Sequence, residues 1–561
     1  MEDSMNKDVK SLIGNRLWGL PLIFLLTFLA YSNIFQNQFV MDDFDFIVNW
    51  PLIRDWRNLP SFFSGYTPPA GQEGIYSPFK TLIHAVNYHL FGLNPLGYHV
   101  FSFLVHFAAI YYVYKLSFFF TQDKTVTFFS SLFFALHPVH ADVIASMTGN
   151  VDVAGIIFLL MAFYYYVKST AAIHKDGRRF YVYALLASFV SVFTHELCLP
   201  LPILFLWYDF CFRGGDGQYR RIFSRVWPFF AIAFFYILCK YLVLQSITRG
   251  SYIYGSFYLT MLVMIKAWAK YVLVCFAPTV LTHNHVISPG VFSFDPEDFD
   301  KVAVLSQSFF EPQVLLSLGL LVGIFYVAAM AWKPRRLVTF CVGWFFVSLL
   351  SASNIVPSGV YFGERYLYHG LWGFCLLLAV YCRSLLRRQG SVLRTSFRWM
   401  GIVLIGALIV FYGLRTWLRN TDLRNEIVLF ERAVKANPYS ALLRTDLGLI
   451  YIRSQMPEKA VASLEKALEI RPDDPVIYFS LAEAYVQLHK IQESADALEY
   501  AIFLKEEYPE AHFNLAGVYA SQGFHEKAQQ SLKSALYYYR LQGKAVEAQE
   551  AEAAFKNYFG F

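Results

Sequence analysis

From Trp18 to about Asn420, apolar runs long enough to cross a bilayer alternate with short loops, and beyond Asn420 that pattern stops. Lipid leaves no water to satisfy backbone N–H and C=O groups, so membrane-crossing segments are α-helices or closed barrels. These runs are continuous and do not alternate apolar with polar, which selects helices. Composition agrees, with 56% hydrophobic, 19% aromatic and only 16% charged residues in 561. The seven cysteines (Cys198, Cys211, Cys239, Cys275, Cys341, Cys375 and Cys382) lie in or beside apolar runs and form no C-x-x-C pair. They read as small core residues, not as a disulfide framework or a zinc site. The chain has no basic helix and no zinc spacing, so no nucleic-acid partner is expected. The first run, Trp18 to Phe35, lacks a small-residue cleavage site and reads as a retained span.

After residue 420 a second periodicity takes over. Leu447, Leu481 and Leu515 are 34 residues apart, as are Tyr451, Tyr485 and Tyr519, and Ala467, Ala501 and Ala535. Small residues recur at Gly448, Ala482 and Ala516, where two helices must approach closely. A 34-residue period with these positions is the tetratricopeptide signature. One long coiled coil is excluded by Pro438, Pro457, Pro472 and Pro509. The expected fold class is all-α: a polytopic helical membrane domain over 1–420, then a tetratricopeptide α-solenoid over 421–561 with about three repeats. The concave face of such a solenoid suits a protein or peptide partner.

Basic residues orient the membrane domain, because cytoplasmic loops hold excess Lys and Arg. Lys7, Lys10 and Arg16 precede the first span. Lys124 lies between runs near 98–120 and 125–137, and Lys168, Lys175, Arg178 and Arg179 between 151–168 and 180–194. Arg213, Arg220, Arg221 and Arg225 separate 197–212 from 226–246, and Lys333, Arg335 and Arg336 separate 313–332 from 337–353. Arg387, Arg388, Arg394 and Arg398 join 366–384 to 398–418. The apolar segment 258–280 breaks the alternation: a crossing there would invert every later basic cluster, and it carries Lys266 and Lys270 mid-segment. Each central charge costs roughly 2.5–3.5 kcal/mol on insertion scales. The segment is therefore expected to lie along or dip into the outer surface. That leaves eleven spans and puts the repeats outside the cytoplasm.

With this topology the outward loops gather the domain's unusual polar residues. The first, 36–97, opens with FVMDDFDFIVNW and its acids Asp42, Asp43 and Asp45. The others bring His137, His140, Asp142, Asn150 and Asp152, then His195 and Glu196, then Arg249, Lys266, Lys270, His283 and His285, and finally Glu364 and Arg365. Acids, histidines and bases on one face of a polytopic protein suggest a reaction centre at the membrane boundary. A plain scaffold would read the acids as a solvated loop end, and a flippase would instead place ionisable residues mid-span. Glu364 and Arg365 suit either a structural ion pair or a phosphate clamp.

The motifs FVMDDFDFIVNWPLI, YSPFKTLIHAVNYHLFGLNPLGYHV, ALHPVHADVIASMTG, HELCLPLPILFLWYD and GERYLYHGLWGF, followed by the repeats, resemble those of GT-C-type integral membrane glycosyltransferases. The resemblance is to the group with C-terminal tetratricopeptide repeats, the transmembrane-and-tetratricopeptide O-mannosyltransferases and their bacterial relatives. It implies inverting transfer of a sugar from a polyprenyl-phosphate-linked donor to a hydroxyl acceptor on the extracytoplasmic face. Protein O-glycosylation is the leading case, with a lipid or polysaccharide acceptor, or a non-enzymatic scaffold for envelope or secretion assembly, as alternatives. Location would be a bacterial inner membrane with a periplasmic site, or an endoplasmic reticulum membrane with a lumenal one.

In this resemblance the catalytic base maps to Asp43 or Asp42, with Asp43 favoured and Asp42 orienting it. His137, His140, Asp142, His195 and Glu196 would shape the acceptor site, and Arg365, Lys266 and Arg249 would hold the donor phosphate. No cofactor is certain. A divalent Mg or Mn, if used, would draw on Asp42, Asp43, Glu196 and His140. The chain departs from the pattern at His195 and Asn150, where basic residues are usual, and carries Asp142 where Glu is common.

Overall fold

Each apolar run forms a helix. The computed structural model describes residues 19–64, 74–171, 175–213, 219–282, 284–288, 291–292, 308–386 and 392–559. Lys7, Lys10, Arg16, His283, Arg387 and Arg388 lie outside the described residues, as do the side chains of Lys175, Arg394 and Arg398. Contacts divide the chain into two compact units, Met1–Asn425 and Glu426–Phe561.

In the first unit, local chemistry sets the helix ends. Asn94 caps Pro95–Thr121 by accepting from the Leu96 N–H at 3.1 Å, and Pro95 occupies the first turn, where no N–H is needed. Asp123 caps Lys124–Leu136 by accepting from Thr125 and Val126, and its other oxygen takes the Arg383 Nε–H at 2.9 Å. Pro138 ends that helix at His137, and the chain turns by 44° into Pro138–Ala145. The bend presents the HPVHAD stretch beside the next long helix, Gly149–Ala171. Inside, Trp344 and Trp372 meet edge to face at 4.7 Å, with Phe163 and Phe340 packed around them. Lipid is as apolar as these side chains, so close packing holds the helices together more than escape from water does.

Six described helices are long and apolar enough to cross a membrane: Pro95–Thr121, Gly149–Ala171, Tyr219–Leu244, Phe257–Phe276, Pro312–Met330 and Trp399–Asp422. The bent pair makes up to seven, and Leu20–Gln36, Arg336–Ala352 and Leu371–Leu386 are shorter apolar helices. The expected eleven exceeds what length and composition alone supply. Phe257–Phe276, expected to lie along the surface, passes the same test. Its lysines carry less penalty than isolated charges would. Lys266 Nζ is 3.2 Å from Glu311, and Lys270 Nζ lies 5.3 Å from the centre of the Phe362 ring. The one described departure from helix is a short antiparallel pairing of Val286–Ser288 with Val291–Phe292.

The second unit is a stack of antiparallel helix pairs: Ala441–Arg453 with Pro457–Ile470, Pro475–Gln487 with Ile491–Leu504, and Pro509–Ser521 with His525–Leu541. Glu426–Ala436 packs on the first pair and Ala545–Phe559 on the last. The recurrent leucines and alanines are the buried seam: Leu464, Ala467, Leu498, Ala501, Leu532 and Ala535 are all buried. A Cβ on Gly448 would come within 2.6 Å of Leu464, which is why that repeat position is small. Recurrent tyrosines tie successive helix pairs together, with Tyr451 donating to Glu431 at 2.7 Å and Tyr519 to Glu499 two repeats later.

Candidate active site

The acids of the first loop sit on a tightly wound turn. Met41 has a left-handed backbone (φ 50°), which costs a residue with a Cβ about 1–2 kcal/mol, and a π-helical turn follows over Phe44–Val48. Asp43 holds this turn from inside. Its Oδ2 accepts from the Val40 N–H at 3.0 Å, and its Oδ1 accepts from the Thr148 N–H at 2.7 Å. The Asp43 carboxylate thus ties the first loop to residues 146–149. There Gly149 is required, because a Cβ would sit 2.7 Å from the Val143 carbonyl. Asp43 is fully buried, and burial lifts its pKa to about 6 despite the hydrogen bonds from Val40 and Thr148.

Asp42 points the other way. It keeps 32% of its side-chain surface exposed, and its Oδ2 lies 3.4 Å from Arg365 Nη1. Arg365 Nε is 3.5 Å from Asp142 Oδ2, so one guanidinium bridges the first and second loops. Burial alone would lower the affinity of Arg365 for its proton, but Asp142, Asp42 and Asp152 outweigh it and hold the charge firmly. The two adjacent acids therefore have unlike environments. Of the two candidates for the base, Asp43, favoured in the sequence, turns its oxygens inward, and Asp42 faces out.

Beside them lies a second ionic group. Lys80 Nζ is 2.7 Å from Asp152 Oδ1, and His195 Nε2 is 3.2 Å from the same oxygen. His195 Nδ1 accepts from the Leu197 N–H at 3.0 Å, so the ring hydrogen belongs on Nε2, aimed at Asp152. Asn150 donates to Tyr98 and Ser102 within the helical packing.

Next to His195, Glu196 opens a cleft of about 360 Å³. Glu196 Oε1 is 2.8 Å from Lys240 Nζ, and its Oε2 is 3.5 Å from Arg249 Nε. Burial alone would raise the Glu196 carboxyl, but Arg249 and Lys240 outweigh it and hold it below its ordinary range. Ile237, Ile247, Ile355 and Val356 supply an aliphatic part of the cleft lining, and Tyr366, adjacent to Arg365, lines the same space. Two cations, one carboxylate and an aliphatic lining suit an amphiphile with an anionic head.

Other expected residues lie elsewhere. His137 Nε2 binds the Cys275 carbonyl at 3.1 Å. His140 is packed against Phe134, Tyr368 and His106, with ring centres 4.5, 4.3 and 5.7 Å away. Both are buried supports, and neither lines the cleft. Lys266, expected at the donor phosphate, is committed to Glu311 and does not line the cleft either. Glu364 and Arg365 do not pair with each other: Glu364 turns inward to His285 and Arg419. The suggested metal ligands Asp42, Asp43, Glu196 and His140 do not converge. Among the described residues no three His, Cys, Asp or Glu side chains form a metal-binding group, so that set does not fit a divalent ion.

Lys80 and Lys240 were not singled out in the sequence, although a signal was present. Lys80 is the one Lys, Arg, Asp or Glu in Pro78–Phe91, and Lys240 is the one charge after Arg225 in Tyr219–Leu244. An isolated charge in an apolar helix is a functional-site hypothesis by default.

Comparison with known proteins fits this picture. The family described as TPR repeat matches residues 457–489, and that described as Tetratricopeptide repeat matches 479–545. Protein O-mannosyl-transferase F38B6.6 of Caenorhabditis elegans is 25% identical over 452 residues, covering 77% of this chain and 60% of that protein. Protein O-mannosyl-transferase TMTC2 of Homo sapiens is 22% identical over 489 residues, covering 73% and 58%. This chain thus spans about three fifths of the length of these curated relatives. Among solved structures, the apo crystal structure of the Archaeoglobus fulgidus oligosaccharyltransferase aligns over 76% of this chain and 60% of its own at 13% identity, TM-score 0.43. Over about three quarters of its length the chain resembles proteins named protein O-mannosyl-transferase, and its C-terminal unit is built from tetratricopeptide repeats.

Proposed function

We propose that the chain is an inverting glycosyltransferase that moves a sugar, mannose by the names its relatives carry, from a polyprenyl-phosphate donor to a hydroxyl on a protein. The observation that carries this reading is the junction of two features. Asp42, open beside Arg365, contacts the residue whose chain neighbour, Tyr366, lines the amphiphilic cleft of Glu196, Lys240 and Arg249.

In the reaction, Asp42 accepts the proton of the acceptor hydroxyl as its oxygen attacks the anomeric carbon. The bond from that carbon to the phosphate oxygen breaks, and the electron pair leaves with the lipid phosphate. Arg249 and Lys240 stabilise the departing charge, and the free edge of Arg365 reaches it from the acceptor side. The aliphatic part of the lining takes the start of the prenyl chain. Asp43 holds the loop that carries Asp42, and Lys80 with His195 fixes Asp152 behind Arg365.

This face is proposed to be extracytoplasmic, because the basic loops lie at the opposite helix ends. A surface or re-entrant course for Phe257–Phe276 keeps eleven spans. It is supported by contacts before and within that helix to one loop: Tyr252 donates to the Ile355 carbonyl, and Tyr271 accepts from the Gly363 N–H. The tetratricopeptide unit is then extracytoplasmic, and its repeats suit a protein acceptor. The test is transfer by the purified full chain of labelled mannose from polyprenyl phosphomannose to an acceptor protein, with Asp42→Asn as control. Full activity of Asp42→Asn would rule out the base assignment.

A further inference from the structure

Three separate segments converge on the turn that carries Arg365. The Gly363 N–H donates to Tyr271 Oη at 3.0 Å, from the Phe257–Phe276 helix. Phe362 stacks on Tyr271 with ring centres 4.2 Å apart, and the His285 ring centre lies 4.6 Å from it. Glu364 Oε1 accepts from the Thr282 N–H at 2.8 Å and lies 2.8 Å from His285 Nε2. Arg419 Nη2, from the last helix of the first unit, sits 3.5 and 3.4 Å from the two Glu364 oxygens. The side chains of Glu364, His285 and Arg419 are almost wholly buried.

These contacts all fall on three consecutive residues, Phe362, Gly363 and Glu364, just before Arg365. The Glu364–Leu367 turn is a 3₁₀ helix, in which successive side chains diverge by about 120°. Fixing Glu364 inward therefore fixes the direction of Arg365, and that direction places its guanidinium between Asp42 and Asp142. We infer that Glu364 and Arg419 are positioning residues whose buried clamp aims Arg365 at the transfer site. This rests on the function proposed above. It gives the Phe257–Phe276 helix and the last membrane helix one shared role, in which Tyr271 and Arg419 grip the turn from two sides.

A buried ion pair could instead serve stability alone, and one measurement separates the two. A clamp that acts through Arg365 has no effect once Arg365 is gone. The full chain in detergent is titrated with farnesyl phosphate as wild type, Glu364→Gln, Arg365→Met and the double variant. A misdirected guanidinium should weaken binding about 10-fold in Glu364→Gln, close to the loss in Arg365→Met, and the double variant should bind no more weakly than Arg365→Met. Equal further weakening in the Arg365→Met background, or unchanged binding by folded Glu364→Gln, overturns the clamp. If Glu364→Gln does not fold, Tyr271→Phe removes only the acceptor for Gly363, and the same cycle is run with it. If the wild type neither binds farnesyl phosphate nor transfers mannose, the proposed function falls and the clamp falls with it. If the wild type does both and the cycle is additive, the clamp alone is wrong.

Discussion

Replacing Asp43 by Asn separates the loop-holding role from the chemistry, and its size can be worked from the structure. The folded pKa is raised from 3.8 to about 6, so ionising Asp43 at neutral pH costs the fold about 3 kcal/mol. For a raised carboxyl the sign is fixed: stability is fully present below the unfolded value of 3.8 and is lost as pH rises through the folded value of about 6. Asparagine abolishes that loss. Its amide nitrogen must, however, face either the Val40 or the Thr148 N–H, leaving a buried donor unmet at about 1–3 kcal/mol. Near pH 7 the two effects offset and the variant should melt close to wild type. Near pH 4 the wild type has regained its stability, and the variant should melt lower. Thermal unfolding in detergent at the two pH values reads this directly. A melting difference that does not change with pH would refute the argument that Asp43 is buried as a charge at neutral pH.

Further outcomes are expected elsewhere. Lys80→Met or Asp152→Asn alone leaves a buried partner uncompensated and should destabilise by about 3–5 kcal/mol, with the double variant losing less than the sum in denaturant melts. Arg249→Met should weaken farnesyl phosphate binding about 10-fold by titration, because it removes one of two cations at the cleft. Gly448→Val drives a side chain into Leu464 and should cost about 1–3 kcal/mol in the tetratricopeptide unit, seen as earlier loss of its helical signal on heating the full chain.

The helical repeat was legible because its signal is local: each tyrosine, small residue and leucine repeats at a fixed spacing, and each helix pair packs within one period. The membrane helices were legible from continuous apolar runs for the same reason. The Asp42 and Asp43 pair announced itself by adjacency, but the sequence could not say which acid faces out. That depends on Thr148, 105 residues away from Asp43 in the chain. Long-range pairing hid the rest of the site. Lys80 meets Asp152 across 72 positions, Lys240 meets Glu196 across 44, and Glu364 meets Arg419 across 55. Neighbours in sequence misled for the same reason. Glu364 and Arg365 are adjacent, yet the 3₁₀ turn sends one inward and the other out. Lys266 looked free only because Glu311 was invisible from its own segment.

The most direct test of the central claim is mannose transfer by the purified full chain, with polyprenyl phosphomannose and an acceptor protein, read by mass spectrometry of the acceptor. The account predicts hexose additions at hydroxyl side chains with wild type, reduced at least about 100-fold in Asp42→Asn, a variant that removes the base and leaves the fold intact. Equal transfer by wild type and Asp42→Asn would contradict it.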